Sequence, residues 1–392
     1  MGAWSSKGTP ARSSPPPGWP DLPPELADLV LRRLPSIADR LRFAAVCRRW
    51  LHVATRYAPP GSRPRLPWLS FLDGHFRSLP DGELHSFRFK RYTLCLGSFG
   101  SWLLLREAGR APGRTRFLKN PLTGATLRLP GRLSLDASHD TGSTTDFLIT
   151  KVIVCPGGLV AAKVNYRCGP DMVVCCRPRA SPPPSSWPAG LCNGYWYADM
   201  GLYKGKLYTV TTEGALFAHE VAEDDDDAGK PRVSRIEQVI PAPHLSKLDG
   251  YHATLPCART CYLVTSPTGG ELLMVRWIIP HDRYTSEDTT RQMTFKVFQA
   301  DLEMSRWLEL ERLEDQVLFV SPNCSKAVSA CNYQQGNNKI YFLDEGIVSW
   351  FFGPASNPRT CGVYDMNSKT IHSISLGEVR ISDQKRASWF FP

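Results

Sequence analysis

Long apolar runs are missing from this chain. The longest nearly apolar stretch, Val152–Val164, is broken by Pro156, Gly157, Gly158 and Lys163. A membrane-crossing helix needs about 18 consecutive apolar residues, so none is expected and a membrane is not an expected partner. The first residues, MGAWSSKGTPARSSPPPG, lack the apolar segment of a secretory signal. The 12 cysteines are therefore expected to be reduced, most of them buried on strands. Cys-x-x-Cys pairs are absent too. His252, Cys257 and Cys261 have a metal-like spacing but no second close pair to complete four ligands, so neither a metal nor another cofactor is expected.

The motifs of familiar chemistry are also missing. A phosphate-binding loop needs four residues between its glycine and Gly-Lys-Ser/Thr. Here only three residues lie between Gly201 and Gly205-Lys206, and Leu207 follows. No Gly-x-Gly-x-x-Gly, Gly-x-Ser-x-Gly or His-Glu-x-x-His occurs, and the nine histidines are scattered singly. No acid pair stands out for hydrolysis, so no catalytic residue is nominated.

What is present is unevenly distributed. The net charge is +10, yet residues 1–120 hold 20 Lys and Arg against 8 Asp and Glu, while residues 121–392 hold 27 against 29. The basic excess sits wholly in the first third, which fits an acidic protein partner or nucleic acid. Its basic residues fall in a tail, short helices and a linker, without a recognition helix or interleaved aromatics, so nucleic acid is not expected. Residues 1–18 belong to a stretch rich in Pro, Gly and Ser that cannot bury a core and reads as a disordered tail.

Residues 19–57 change character. Leu22, Leu26, Leu29, Val30 and Leu34 recur at the helical period. Asp21 can cap this helix, Pro23 and Pro24 suit its first turn, Pro35 ends it and Ser36 can cap the next. Leu41, Ala44, Ala45 and Val46 carry an apolar face onward, followed by Trp50 or Leu51, then Val53 and Ala54. Two or three short helices in so few residues have little interior of their own, so the apolar stripe is expected to need a partner.

Residues 58–66 form a Pro/Arg linker, after which the helical period disappears. From residue 67 to 392 the chain is short β-type runs between turn signals. Examples are Trp102–Leu105, Leu148–Val154, Leu159–Val164, Met172–Cys176, Leu207–Val210, Leu216–His219, Cys261–Val264, Leu272–Ile279, Thr294–Phe298, Gln316–Val320, Lys339–Leu343 and Ile347–Phe352. One strand anchor per unit, at Leu103, Leu159, Leu207, Leu263 and Leu318, recurs every 48 to 56 residues. That is the size of a four-stranded propeller blade, and the region has room for about six. Gly205–Tyr208 and Asn338–Tyr341 both read as turns entering strands. The end of the sequence, Trp389-Phe390-Phe391-Pro392, is apolar enough to be expected to close a ring against Trp68–Leu72. The acidic run from Glu223 to Asp227 and the Pro/Ser stretch Arg179–Trp187 read as loops.

Two resemblances follow from these residues. Leu22-Pro23-Pro24-Glu25-Leu26, Val30-Leu31, Leu34-Pro35, Leu41-Arg42-Phe43 and Val46-Cys47-Arg48-Arg49-Trp50 resemble the F-box, with charged Asp39-Arg40 as the departure. The resemblance implies a small all-α module that packs on a Skp-type adaptor and through it reaches a cullin. Carried over, Leu22, Pro23, Leu26, Leu31, Leu34, Pro35, Leu41, Val46, Cys47 and Trp50 would form the adaptor face or the small core behind it. The remainder, through Leu66–Leu69, Asn120–Gly124, Gly205–Tyr208, Asn338–Asp344, Val363–Asp365 and Trp389–Pro392, resembles the β-propeller that follows the F-box in a large plant family.

The implied function is a non-catalytic substrate receptor of an SCF-type ubiquitin ligase, its propeller recruiting a protein client. The alternative is an F-box scaffold or regulator that acts without client ubiquitination. Cytoplasm and nucleus both remain open, and no client-binding residue can be nominated.

Overall fold

The computed structural model describes residues 18–19, 22–34, 37–56, 67–71, 74–79, 84–87, 93–107, 115–135, 142–166, 169–179, 184–223, 230–243, 257–280, 293–330, 337–343, 361–373 and 387–391. The chain divides into two compact units between Arg63 and Pro64. The expected caps Asp21 and Ser36, the linker, Asp224–Asp227 and the strand Ile347–Phe352 lie outside the described residues.

The first unit holds three helices among the described residues: α1 (Pro24–Arg33), α2 (Ile37–Val46) and α3 (Arg48–Arg56). Pro24 opens α1 at a position whose N–H would have no helical partner, with Pro23 extended just before it. The α2–α3 corner turns on Cys47. Its Sγ accepts the Trp50 N–H at 3.4 Å and its carbonyl accepts the Leu51 N–H at 2.9 Å, so Cys47 caps α3. The Asp39-Arg40 departure is tolerated on α2, where Asp39 accepts a hydrogen bond from Arg42 at 2.7 Å on an exposed surface.

The second unit is a six-bladed β-propeller. Blade 1 joins the end of the chain to its beginning, in the order Ala387–Phe390, Trp68–Phe71, His75–Ser78, Leu84–Ser86. Blade 2 runs Thr93–Phe99, Trp102–Glu107, Arg116–Lys119, Thr126–Leu129. Blade 3 is Leu148–Val154, Val160–Asn165, Met172–Cys176. A small sheet accompanies it, in which Ser186–Trp187 pairs parallel with Arg132–Leu135 beside Gly142–Thr144. Blade 4 comprises Tyr197–Tyr203, Lys206–Thr211, Leu216–Glu223 and Pro231–Ile240; blade 5 comprises Cys257–Thr265, Leu272–Pro280, Thr294–Asp301 and Arg306–Leu310. Blade 6 has five strands, ordered Lys326–Ser329, Gln316–Val320, Lys339–Leu343, Cys361–Asp365, Thr370–Ser373, the second and third pairing parallel.

The core lies between blades, which explains the nearly continuous apolar runs of the middle strands. Side chains alternate across a strand, and here each face meets a neighbouring blade. Leu272 and Met274 join a cluster with blade 4, whereas Leu273, Val275 and Trp277 join one with blade 6. Val317 and Phe319 face blade 1 while Leu318 and Val320 face blade 5. Cys175 packs toward blade 4 and Cys176 toward blade 2, two of the buried strand cysteines anticipated from the sequence.

Ring closure takes the expected form. Trp68 pairs with Phe390 and Phe71 with Ala387 in an antiparallel register. The closing strand also ties its neighbours: Ser98 Oγ of blade 2 lies 2.5 Å from Ser388 Oγ, and Trp389 Nε1 donates to Val320 O of blade 6 at 3.0 Å. The repeat anchors are less uniform than their spacing implies. Leu103, Leu207 and Leu318 sit on second strands and Leu159 just precedes one, but Leu263 lies on the first strand of blade 5. The two similar turns do match, since Gly205 and Asn338 both have positive φ directly before a strand.

Candidate functional site

In the helical unit the sequence-nominated residues separate into two groups. Leu31 (6% exposed) and Trp50 (8%) belong to the core with Ala27, Phe43 and Val53, and Phe43 stacks on Trp50 at 4.3 Å. Leu22, Leu34 and Cys47 are half-buried against that core. Pro23 is exposed, as are Leu26 (49%) and Val46 (54%). Pro35 and the side chain of Leu41 lie outside the described residues.

The nominated set omitted large apolar groups that the structure leaves open to solvent: Trp19, Leu29 and Val30 before and along α1, and Leu51 on α3. Leu26, Leu29 and Val30 stand at i, i+3 and i+4, one face of α1, while Ala27 and Leu31 use the face turned to the core. The helical period that located α1 therefore traces two apolar faces, one buried and one exposed. The apolar stripe that the sequence expects to need a partner includes this second face, while Ala27, Leu31, Phe43, Trp50 and Val53 form the core among the described residues.

The propeller has its own site. A cavity of about 630 Å³ opens where strands and turns of all six blades meet. Phe99–Trp102, Asn120, Leu122 and Thr123 come from blade 2, Lys151–Val154 from blade 3, Met200–Leu202 from blade 4, Leu263 and Thr265–Pro267 from blade 5, Asn323–Ala327 from blade 6 and Phe391 from just after the closing strand. Lys151 is buried and donates to Asp199 Oδ1 at 2.5 Å. Asp199 also accepts the N–H groups of Met200 and Leu263 at 2.7 and 2.8 Å, so this carboxylate bridges blades 3, 4 and 5. Lys163 lies behind it and donates to the Tyr197 and Ala198 carbonyls; burial pushes its pKa down, opposed by the attraction of Asp171 and Asp199. Asn120 holds its turn through the Leu122 and Thr123 N–H groups. Among the described residues no group of three or more metal-ligating side chains could hold a metal ion, and no helix is long and apolar enough to cross a membrane.

A three-helix module followed in the chain by a ring-closed β-propeller is the class that the fold defines. The F-box-like family matches residues 19–57 and the KIB1-4 beta-propeller family matches residues 76–365. The chain belongs to the KIB1-4 beta-propeller family. It is similar along most of its length to three Arabidopsis thaliana proteins. It is 23% identical to the probable F-box protein At1g65740, over 83% of this chain and 90% of that one. It is 24% identical to the putative F-box protein At3g25750, over 83% and 87%, and 22% identical to the F-box protein At2g26160, over 84% and 96%.

Proposed function

We propose that this protein is the substrate-receptor subunit of an SCF-type ubiquitin ligase. Its F-box docks on a Skp-type adaptor that connects it to a cullin, and its propeller holds a protein client. The observation that carries the reading is the set of aliphatic side chains left in solvent on all three helices: Leu26, Leu29 and Val30 from α1, Val46 from α2 and Leu51 from α3. Covering the exposed part of each contributes roughly 1 kcal/mol, so together they offer a substantial anchor for a partner. The propeller in this reading carries out no bond-making step; it raises the local concentration of client beside the transferring enzyme.

The test is co-expression with a Skp-type adaptor and measurement of a one-to-one complex. Leu26→Ala/Leu29→Ala/Leu51→Ala should weaken the complex by about 3 kcal/mol, a hundredfold or more, without unfolding the chain. Trp50→Ala is the less informative variant because it removes core as well as contact. Unchanged adaptor binding by the triple variant would sink the reading of this face.

A further inference from the structure

We propose that the Arg106–Arg116 pair of blade 2 binds a phosphoryl dianion, at a site that includes neither the helical face nor the channel mouth and does not rest on the receptor reading. Arg106 stands directly opposite Arg116 in the antiparallel ladder, so both side chains leave the same face of the sheet. Leu94 precedes them in that row and is 46% exposed, while Leu129 follows them and is buried. The row crosses blade 2 at the end away from the cavity, because Thr93–Phe99 and Trp102–Glu107 reach the cavity through Phe99–Trp102.

Like charges directly opposite one another destabilise a sheet, and here nothing offsets them. Among the described residues neither arginine forms an ion pair. Glu107 lies on the other face of its strand, and Asp146 is an exposed turn residue whose N–H donates to Thr144. Burial pushes the Arg116 pKa down, and the Arg106 charge pushes it the same way. Arg116 is nevertheless held in place. Its Nη2 donates to the Phe147 carbonyl at 3.0 Å, and its guanidinium lies over the Phe147 ring, 4.1 Å from the centre. The Arg106 Nε and the Arg116 Nη1 are shielded from solvent without a hydrogen-bond partner. Each residue as a whole is half-buried, so the two charges sit at the margin of the core shared with blade 3.

An anion between the guanidiniums turns one repulsion into two attractions. A phosphoryl group carries about −1.5 to −2 charges at pH 7 and three acceptor oxygens, enough to serve two planar forks at once. A carboxylate has a single charge and two oxygens, which one guanidinium already satisfies. Arginine at both positions supplies the fork geometry that lysine lacks.

The experiment is phosphorus NMR of inorganic phosphate titrated with the full chain, ionic strength being held constant with chloride. The phosphate line should broaden saturably. Arg106→Gln should weaken binding about tenfold or more, and Arg106→Lys, which keeps the charge and loses the fork, should restore only part of it. Arg128→Gln removes an exposed arginine from the opposite face of the same blade and should change nothing. Sulfate should displace phosphate, and acetate should do so at least about tenfold less well. A phosphoserine peptide separates the sources: displacement tighter than by free phosphate assigns the group to a protein side chain, and weaker displacement assigns it to a small phosphorylated ligand. In phosphate-free buffer Arg106→Gln should melt no lower than the wild type, because it removes a like-charged neighbour. Added phosphate should raise the melting temperature of the wild type alone.

Absence of saturable broadening, wild-type binding by Arg106→Gln, an equal loss in Arg128→Gln, or acetate competing as well as sulfate would each overturn the proposal. So would an Arg106→Gln chain that melts below the wild type without phosphate, since Arg106 would then be holding the fold and not awaiting a ligand. None of these outcomes bears on adaptor binding, which is read separately.

Discussion

His219 is buried in blade 4 with its Nε2 2.8 Å from Thr209 Oγ1 and the Tyr197 ring edge-on beside it. Burial pushes its pKa down to about 4, so the folded protein holds a neutral ring well below the ordinary titration range. An unfolded chain takes up the proton near pH 6.5 and the folded one does not, so stability is lost as pH falls from about 6.5 toward 4. At pH 5 the loss from this residue alone is about 2 kcal/mol. Urea midpoints at pH 7 and pH 5 should reveal it, and His219→Gln should shrink the difference between them. A pH dependence unaltered in the variant would refute the assignment. The Lys151–Asp199 pair makes a second residue-scale prediction. Asp199→Ala leaves a buried ammonium without its counter-charge and two N–H groups without their acceptor, at a cost of about 3–5 kcal/mol. Lys151→Met should cost less, because Asp199 keeps both amides. The double variant should cost less than the sum of the two, which a double-mutant cycle in urea measures.

At the scale of elements, the closing strand shows how closely sequence can specify pairing. Ala387–Phe390 buries Ser388, Trp389 and Phe390, pairs along one edge with Trp68–Phe71, and bonds through Ser388 and Trp389 to blades 2 and 6. Removing residues 387–391 should therefore do more than delete contacts. It uncovers the edge of Trp68–Phe71 and strips Val320 and Ser98 of hydrogen-bond partners in blades 6 and 2. The truncated chain should elute as aggregates in size-exclusion chromatography, and a monomer with native melting would contradict the role given to this strand. The same reasoning marks what was legible beforehand. Turn residues and short apolar β-type runs located the second strands of blades 2 to 6 and several of their neighbours, and Pro24 and Pro35 bracketed α1 in the sequence. The strand order of blade 6 was not legible, because a parallel pairing between Gln316–Val320 and Lys339–Leu343 leaves the same alternating pattern as an antiparallel one. Nor was the extra sheet at blade 3, whose two-residue strand Ser186–Trp187 is too short to carry a period. On α1 the outward residues were indistinguishable from the inward ones, since both faces are aliphatic and periodicity reports a helix without saying which face a core covers. The channel site was beyond sequence altogether. Lys151, Lys326, Asn120 and Thr265 are far apart in the chain and become neighbours only because a ring brings the blades to one axis.

At the scale of the whole molecule, the two units differ sharply in what holds them. The propeller's blades share large clusters on both faces, whereas in the helical unit five buried apolar residues form the core among the described residues. A core that small supplies only a few kcal/mol, so the helices should open locally far more often than the blades. A partner that binds only the folded helices stabilises them by mass action, by about 2.7 kcal/mol when its concentration is a hundred times Kd. Hydrogen exchange on the full chain reads this directly. In the free protein, amides of Pro24–Arg33, Ile37–Val46 and Arg48–Arg56 should exchange quickly, and those of Leu272–Pro280 and Gln316–Val320 slowly. Adding a saturating Skp-type adaptor should slow exchange in the three helices about a hundredfold and leave the blade strands unchanged. Leu26→Ala/Leu29→Ala/Leu51→Ala should abolish that protection while preserving the free-state pattern. If the helices are already as protected as the blades without adaptor, the exposed aliphatic face is not the mark of an incomplete module, and the argument that it awaits a partner fails with it.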